Sequence, residues 1–406
     1  EGWERQINGL SNNEKANLLL EKHTFKELLA DVEQRNLQNN IVGLEASRLF
    51  ARSEINMGVD AFRDSLYAML KRNTFLNIKF ENMLDTLGEM SRTDLYSYLK
   101  EWEQLTPLPF YSIGEPELTK VVNKGGEEFF VLKVLVSNNS DYDGIIQMNV
   151  LQNGWWYQPM EDPRARKKVE IAAHTSKEFV SVWEEQIRDV EINTMVSGNL
   201  PYMIRQSIGN VKQERNKIVK DTIYTLPESS LEMPGEVIVD NEDSTLFVLS
   251  TPAVVGLLPK WLDKVEDTSF KYSGISWWRA PLQWTATTNA KYYGKYIRSA
   301  YVIKSGDGSQ TATWKIPVPE AGQYELYYHV FKDDELRWND RLQGEYHFRV
   351  AYDSEMEDAY INLRKANEGW EQLGTYYFSA DTVRVVLTDE CKLRSVTADA
   401  VKIVKR

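Results

Sequence analysis

Histidine, cysteine and clustered carboxylates are the side chains from which active sites are most often assembled, and this chain is sparing with the first two. Its histidines are His23, His174, His329 and His347. No two of them share the spacing that puts a pair of zinc ligands one helical turn apart. His329 and His347 are expected to approach each other on neighbouring strands, but the further ligands of a zinc site are missing from the sequence around them. The single cysteine, Cys391, excludes an intrachain disulfide and any multi-cysteine zinc site. No Ser, Asp and His set occupies a nucleophile turn, and no Gly-rich loop is built to cradle phosphate. The sequence therefore marks no catalytic residue and no metal ligand.

Carboxylates gather at Asp141–Asp143, Asp240–Asp243, Asp333–Glu335, Asp353–Asp358 and Asp389–Glu390. Such oxygen-rich loops could hold a structural calcium, the only cofactor the sequence admits, but they equally suit solvated turns. A different chemistry is offered by Trp277, Trp278, Arg279, Trp284, Tyr292, Tyr293 and Tyr296, set among Ser, Thr, Gly and Asn residues. Indole and phenol faces stack on the C–H faces of sugar rings, and Arg279 and Asn289 would bond hydroxyls or carboxylates. These seven residues are the expected ligand site. The same rings would also serve to cement the segment onto a sandwich or a neighbouring domain.

Three kinds of element must position these groups. From Ser11 to residue 106 the apolar spacing is helical. Ser11-Asn-Asn-Glu14 has the form of a capping box, followed by one long helix through Leu18, Leu19, Phe25, Leu29 and Val32. Helices follow at about 41–53, through the stripe Val59, Phe62, Leu66, Met69 and Leu70, and through Phe80, Met83, Leu84 and Leu87. A last helix, capped by Ser91-Arg-Thr-Asp94, ends before Pro107 and Pro109. From Ile113 the period drops to two, with strands at 129–136, 145–150, 168–173, 178–182 and 190–194. The charged, irregular stretch 210–234 reads as a linker. In the last part Tyr324, Leu326, Tyr328 and Val330 fall on one strand face, and Tyr346, Phe348, Val350 and Tyr352 on another. Trp314 and Trp370, each at a strand boundary, read as core.

The fold class is thus multidomain α + β. A helical bundle at 1–112 precedes an immunoglobulin-like β-sandwich at 113–209 and the linker. A jelly-roll-like β-sandwich at 235–406 closes the chain. With 406 residues the chain is long enough for separate cores. Its 60 acidic against 48 basic residues give a net charge of −12, which argues against nucleic acid or an anionic membrane surface as partner. No run approaches the roughly 18 apolar residues of a membrane span. The chain opens at Glu1 without an initiator methionine or a basic-then-apolar leader, as a processed or excised portion would.

Two resemblances attach to particular stretches. Gly43-Leu-Glu-Ala-Ser-Arg-Leu-Phe50, Gly58-Val-Asp-Ala-Phe-Arg-Asp-Ser-Leu66, Phe80-Glu-Asn-Met-Leu84 and Ser91–Trp102 resemble the helical region downstream of the active site in thermolysin-like zinc aminopeptidases. The likeness covers about 41–109 and lacks that family's H-E-x-x-H. Where its catalytic tyrosine is expected stand only Asn39 and Asn40. Val239–Asp243, Tyr292–Tyr296, Trp314, Pro319–Tyr324, Gly369-Trp370, Leu373–Tyr376 and Ala398–Val401 appear in the order seen in the golvesin and xanthan-lyase C-terminal family. This chain departs from that family by an insertion at about 254–276. The second resemblance implies a bacterial, extracytoplasmic β-sandwich that binds carbohydrate or the cell surface. The function expected is a non-catalytic accessory role, with a polysaccharide, a surface glycan or the rest of the parent polypeptide as partner. The alternative is the C-terminal part of a zinc aminopeptidase whose metal motif lies upstream.

Overall fold

The computed structural model describes residues 9–101, 103–105, 107–151, 162–215, 219–228, 231, 235–250, 270–275, 280–332 and 344–406. The chain forms two compact units, Asn12–Leu231 and Glu232–Arg406, the second including the segment up to Ser11.

In the first unit the described helices are α1 (Asn12–Leu20), α2 (Phe25–Ala30), α3 (Gln38–Met57), α4 (Val59–Arg72), α5 (Phe80–Ser91) and α6 (Leu95–Glu101). The single long helix expected after Ser11 is broken in two. Thr24 begins a second helix with its own capping box: its hydroxyl accepts from Glu27 N at 3.1 Å, and Glu27 Oε2 accepts from Thr24 N at 2.9 Å. Leu29 and Val32, expected on the buried stripe, are consequently exposed. The cap at Asp94 does form, its Oδ1 accepting from the amides of Tyr96 and Ser97.

Ten strands follow: β1 (Tyr111–Ile113), β2 (Glu117–Val122), β3 (Glu128–Asn138), β4 (Gly144–Leu151), β5 (Arg166–Ile171), β6 (Thr175–Trp183), β7 (Asp189–Asn193), β8 (Met203–Ser207), β9 (Val211–Arg215) and β10 (Thr222–Pro227). They make a sheet ordered β10-β6-β3-β2-β9, with β1 on β3, and a second ordered β5-β4-β7-β8. Leu132, Val134 and Val136 of β3 meet Ile146, Met148 and Val150 of β4 in one core. The stretch 210–234, expected as a linker, contributes the edge strands β9 and β10. Helix α3 is tied to this sandwich by Ala51 packing on Ile145 and Met195, and by an ion pair between Glu54 and Lys168.

The second unit contains β11 (Glu236–Val239), β12 (Phe247–Leu249), β13 (Thr285–Thr288), β14 (Ser299–Lys304), β15 (Thr311–Pro317), β16 (Gly322–Val330), β17 (Glu345–Tyr352), β18 (Glu355–Asn362), β19 (Gly369–Phe378), β20 (Thr382–Thr388), β21 (Ser395–Ala398) and β22 (Val401–Lys405). One sheet runs β11-β22-β16-β19, another β12-β15-β20-β17-β18, and a third β13-β14-β21. The two larger sheets share a core. Tyr324, Leu326, Tyr328 and Val330 of β16 are buried, as the alternation requires, against Trp314, Phe348, Val350 and Val385 from the facing sheet. Trp314 is wholly buried, its ring tilted against Phe247 at 5.3 Å and edge-on to Tyr328 at 6.1 Å between centroids. Gly9 is threaded against this unit with φ +76°, where a Cβ would stand 2.1 Å from the Ser273 carbonyl carbon, so only glycine fits.

Candidate functional site

Because β16 alternates, His329 projects from the outer face of the four-stranded sheet while Tyr328 and Val330 point into the core. His347 occupies the same kind of position on β17, in the opposite sheet. The two histidines therefore leave the sandwich in opposite directions, and the expected approach on neighbouring strands does not occur.

Beneath His329 lies Asp399, wholly buried, on the turn between β21 and β22. Its carboxylate meets His329 Nδ1 at 2.9 Å and accepts from the Tyr293 amide at 3.2 Å. Its backbone carbonyl accepts from the Trp314 indole at 3.2 Å. Burial pushes the Asp399 carboxyl above its usual range, and the neighbouring His329 opposes that shift. Trp370, paired with His329 across β16 and β19, closes the group with ring centroids 5.1 Å from His329 and 5.0 Å from Tyr293. The Lys402 ammonium sits 4.8 Å from the Trp370 ring and 2.7 Å from Glu236. Trp370, expected in the core, is thus a half-buried member of an outer-face cluster.

The seven residues of the expected ligand site are placed as follows. Trp277, Trp278 and Arg279 lie outside the described residues. Trp284 is half-buried against the core, its indole N–H enclosed without a partner. Tyr292 is buried against Phe331 at 4.7 Å. Tyr293 joins the Asp399 cluster, and Tyr296 carries the Lys295 ammonium 5.5 Å from its ring. Tyr292 and Tyr293 themselves pack on the sandwich.

The acidic loops spend their oxygens on protein donors. Asp141 pairs with His174 at 2.7 Å, and Asp143 accepts from the Ala173 amide at 2.8 Å. Asp243 accepts from the Asp240 amide, Asp353 takes both donors of Ser379, and Asp389 accepts from the amides of Gly308 and Gln310. Asp240 is held well above the usual carboxylate range by its shielding from water and by Asp399. Asp333–Glu335 lies outside the described residues. Among the described residues no three His, Cys, Asp or Glu side chains come together as metal ligands.

The outer face of the five-stranded sheet is different in kind. Register sets Lys315 of β15 directly opposite Arg384 of β20, while Arg349 of β17 lies across from Val386 on the same strand. Among the described residues none of these three cations has an ion pair or a side-chain hydrogen bond. Like charges directly opposite each other weaken a sheet. Beside them Tyr360, exposed by 58%, is stacked on His347 at 4.9 Å with the planes 8° apart. His347 is itself fixed by Asp358 at 2.8 Å and Glu390 at 3.3 Å. The result is an outer sheet face with an aromatic ring at one side, an opposed pair of cations, and Arg349 set across from Asp358. Sequence reading missed it because its members come from four strands, and Lys315 and Arg384, 69 residues apart, become neighbours only through strand register.

Comparison with known proteins bears on this unit. Residues 278–405 match the Golvesin C-terminal domain. The match takes in β13 to β22 and is less than half of the chain. No curated protein matches the chain. Among solved structures it is similar to the GH26-CBM35 β-(1,4)-mannanase of Podospora anserina, at 10% identity over 32% of this chain and 27% of that one, with a TM-score of 0.21. It is also similar to CBM35 from Cellvibrio japonicus Abf62, at 12% identity over 28% of this chain and 75% of that one, TM-score 0.19. A calcium-binding mutant of Bacteroides uniformis β-glucuronidase 2 aligns at 11% identity over 77% of this chain and 32% of that one, TM-score 0.21. Likenesses this slight do not extend to what those proteins bind or act on. No described helix is long and apolar enough to cross a membrane.

Proposed function

We propose that the chain serves as a non-catalytic accessory portion of an extracytoplasmic bacterial protein, and that its second unit binds an acidic polysaccharide, such as a carboxylated cell-surface glycan. The Golvesin C-terminal match supports a β-sandwich of that type. The observation that carries the ligand class is the opposed pair Lys315 and Arg384, neither of them ion-paired among the described residues, in a chain of net charge −12; Arg349 nearby faces Asp358 across the β17–β18 pair. A sheet that keeps mutually repelling cations on an open face gains from them when an anion arrives. Exposed Tyr360 supplies the surface on which a pyranose ring stacks. The competing candidate is the aromatic segment with Trp277 and Trp278, which lie outside the described residues.

The test is affinity electrophoresis in gels containing alginate or polygalacturonate, with neutral hydroxyethyl cellulose as control. Wild type is retarded by the acidic polymers; Arg384→Thr and Lys315→Thr each weaken retardation roughly tenfold, as loss of one charge-assisted contact does, and Tyr360→Ala weakens it by removing the stacking face. Retardation untouched by these changes but abolished by Trp277→Ala with Trp278→Ala would move the site to the aromatic segment. Retention in the neutral polymer alone would remove the acidic ligand. The aminopeptidase reading makes a separate demand, an H-E-x-x-H in the parent reading frame ahead of Glu1.

A further inference from the structure

The first unit contains a pocket of about 280 Å³ lined by Asn13, Asn39, Asn40, Gly43, Ser47 and Asn193, with Leu44, Met195 and Tyr202 completing the wall. Asn39, Gly43 and Ser47 stand at i, i+4 and i+8 on α3, so one face of that helix forms one side. Asn40 donates to Asn13 Oδ1 at 2.8 Å, and Asn13 donates to the Tyr202 hydroxyl at 3.0 Å, which fixes those three side chains. Among the described residues the side chains of Asn39 and Ser47, both exposed to solvent, and Asn40 Oδ1 and Asn193 Nδ2 make no hydrogen bond within the protein.

Three local choices around this pocket work against stability. Gly43 lies inside a 20-residue helix, where glycine costs about 1 kcal/mol relative to alanine. A Cβ built on it would touch nothing within 4 Å, so packing does not demand the glycine. Met195 has φ +53°, a conformation that side chains other than glycine, Asn and Asp rarely adopt. It is held there by its amide donating to Asn193 Oδ1 at 2.8 Å and by its carbonyl accepting from Asn17 Nδ2 at 3.0 Å. Asn17, 1% exposed, leaves its Oδ1 without a partner. Conflicts of this kind concentrated in one place are the mark of a site kept for something other than folding.

We infer that this pocket binds an uncharged, hydroxyl-rich ligand of monosaccharide size. No lining residue is charged, so nothing there favours an ion. Amide and hydroxyl groups both donate and accept, as sugar hydroxyls do. Leu44 and Met195, each 7% exposed, form the pocket's apolar floor, against whose edge a ring's C–H face would rest. The volume is at the lower edge of small-molecule sites, roughly 300 Å³ and up, which admits a single ring. This site is independent of the acidic-glycan face and draws nothing from it.

The experiment is saturation-transfer NMR on the full chain with glucose, galactose, mannose, xylose and N-acetylglucosamine as separate probes, and glucuronate as the charged control. At least one neutral sugar receives saturation, and glucuronate receives none that competes with it. Asn39→Ala and Ser47→Ala each weaken the fitted Kd about fivefold, the effect of one neutral hydrogen bond. Gly43→Leu fills the pocket and abolishes the signal while the melting temperature holds or rises, since the helix gains a better former. Lys315→Thr leaves the signal intact, which separates this site from the sheet face. No transfer to any neutral probe, or transfer that survives Gly43→Leu in a folded protein, overturns the inference and leaves a water-filled notch.

Discussion

Replacing Arg384 by threonine should move stability and binding in opposite directions. Residues directly opposite in an antiparallel pair have Cβ atoms about 4.5–5.5 Å apart, and Lys315 and Arg384 are such a pair. Two unit charges about 5 Å apart in water repel by roughly 0.8 kcal/mol. Both side chains are flexible and reach into solvent, so they splay and that figure is a ceiling. At about 0.15 M salt the screening length is near 8 Å, which cuts the repulsion to about 0.4 kcal/mol. Threonine also suits a strand, so no propensity penalty offsets the gain. For a unit of this size Tm should rise by about 1 °C, somewhat more at low salt. Affinity for alginate should fall roughly tenfold at the same time, because the ligand loses one charge-assisted contact. The assay is paired: thermal melts at low and high salt, and gel retardation on the same preparations. A variant that is less stable than wild type by more than about 0.5 kcal/mol, or that binds alginate as well as wild type does, refutes the argument.

Three further outcomes follow from buried or clamped groups. His174 stands between Asp141 and Glu228, each at 2.7 Å, and those two hydrogen bonds raise its pKa. Its stabilising contribution is complete below the ordinary histidine value near 6.5 and is lost as pH rises through the higher folded value. An NMR titration placing the His174 ring below 6.5 contradicts this, as does a stability difference between wild type and His174→Gln that grows with pH. Asp399 has a carboxyl raised by burial, so it favours the fold most when protonated. Relative to Asp399→Asn, wild type should lose stability as pH rises from about 4 through the raised value, and denaturant titrations across that range would show the opposite slope if His329 dominated instead. Trp314→Ala removes a wholly buried indole and its bond to the Asp399 carbonyl, at a cost of about 3–5 kcal/mol that denaturant melts of the second unit would register.

What sequence alone disclosed depends on whether a side chain answers to a local period. Tyr324, Leu326, Tyr328 and Val330 were legible because one strand in a sandwich must alternate, and all four are buried. The strands β9 and β10 were not, because they are edge strands whose residues are mostly exposed, so Val211–Arg215 shows no alternation and reads as a charged tether. Helix α2 was merged into α1 because Leu18, Leu19, Phe25, Leu29 and Val32 mimic one stripe. The Thr24 and Glu27 capping box that divides them lies within that run.

No single local period brings the members of the candidate sites together. Lys315 comes to face Arg384, and Asn39 to line the same pocket as Asn193, only after strand register and helix docking have been settled by the apolar residues between them. Trp370 illustrates the limit. A tryptophan at a strand start reads as core, yet the bulge between Leu326 and Tyr327 lies just ahead of its own pairing with His329, on the outer face. The core positions are those where a wrong side chain is costly, so they impose a pattern that one sequence can reveal. The outer faces tolerate many side chains, and there a costly choice is the signal: opposed cations without anions, a glycine inside a helix, a methionine at positive φ. Each costs stability that the fold has no need to lose, and so each points to a ligand more directly than any motif in the chain.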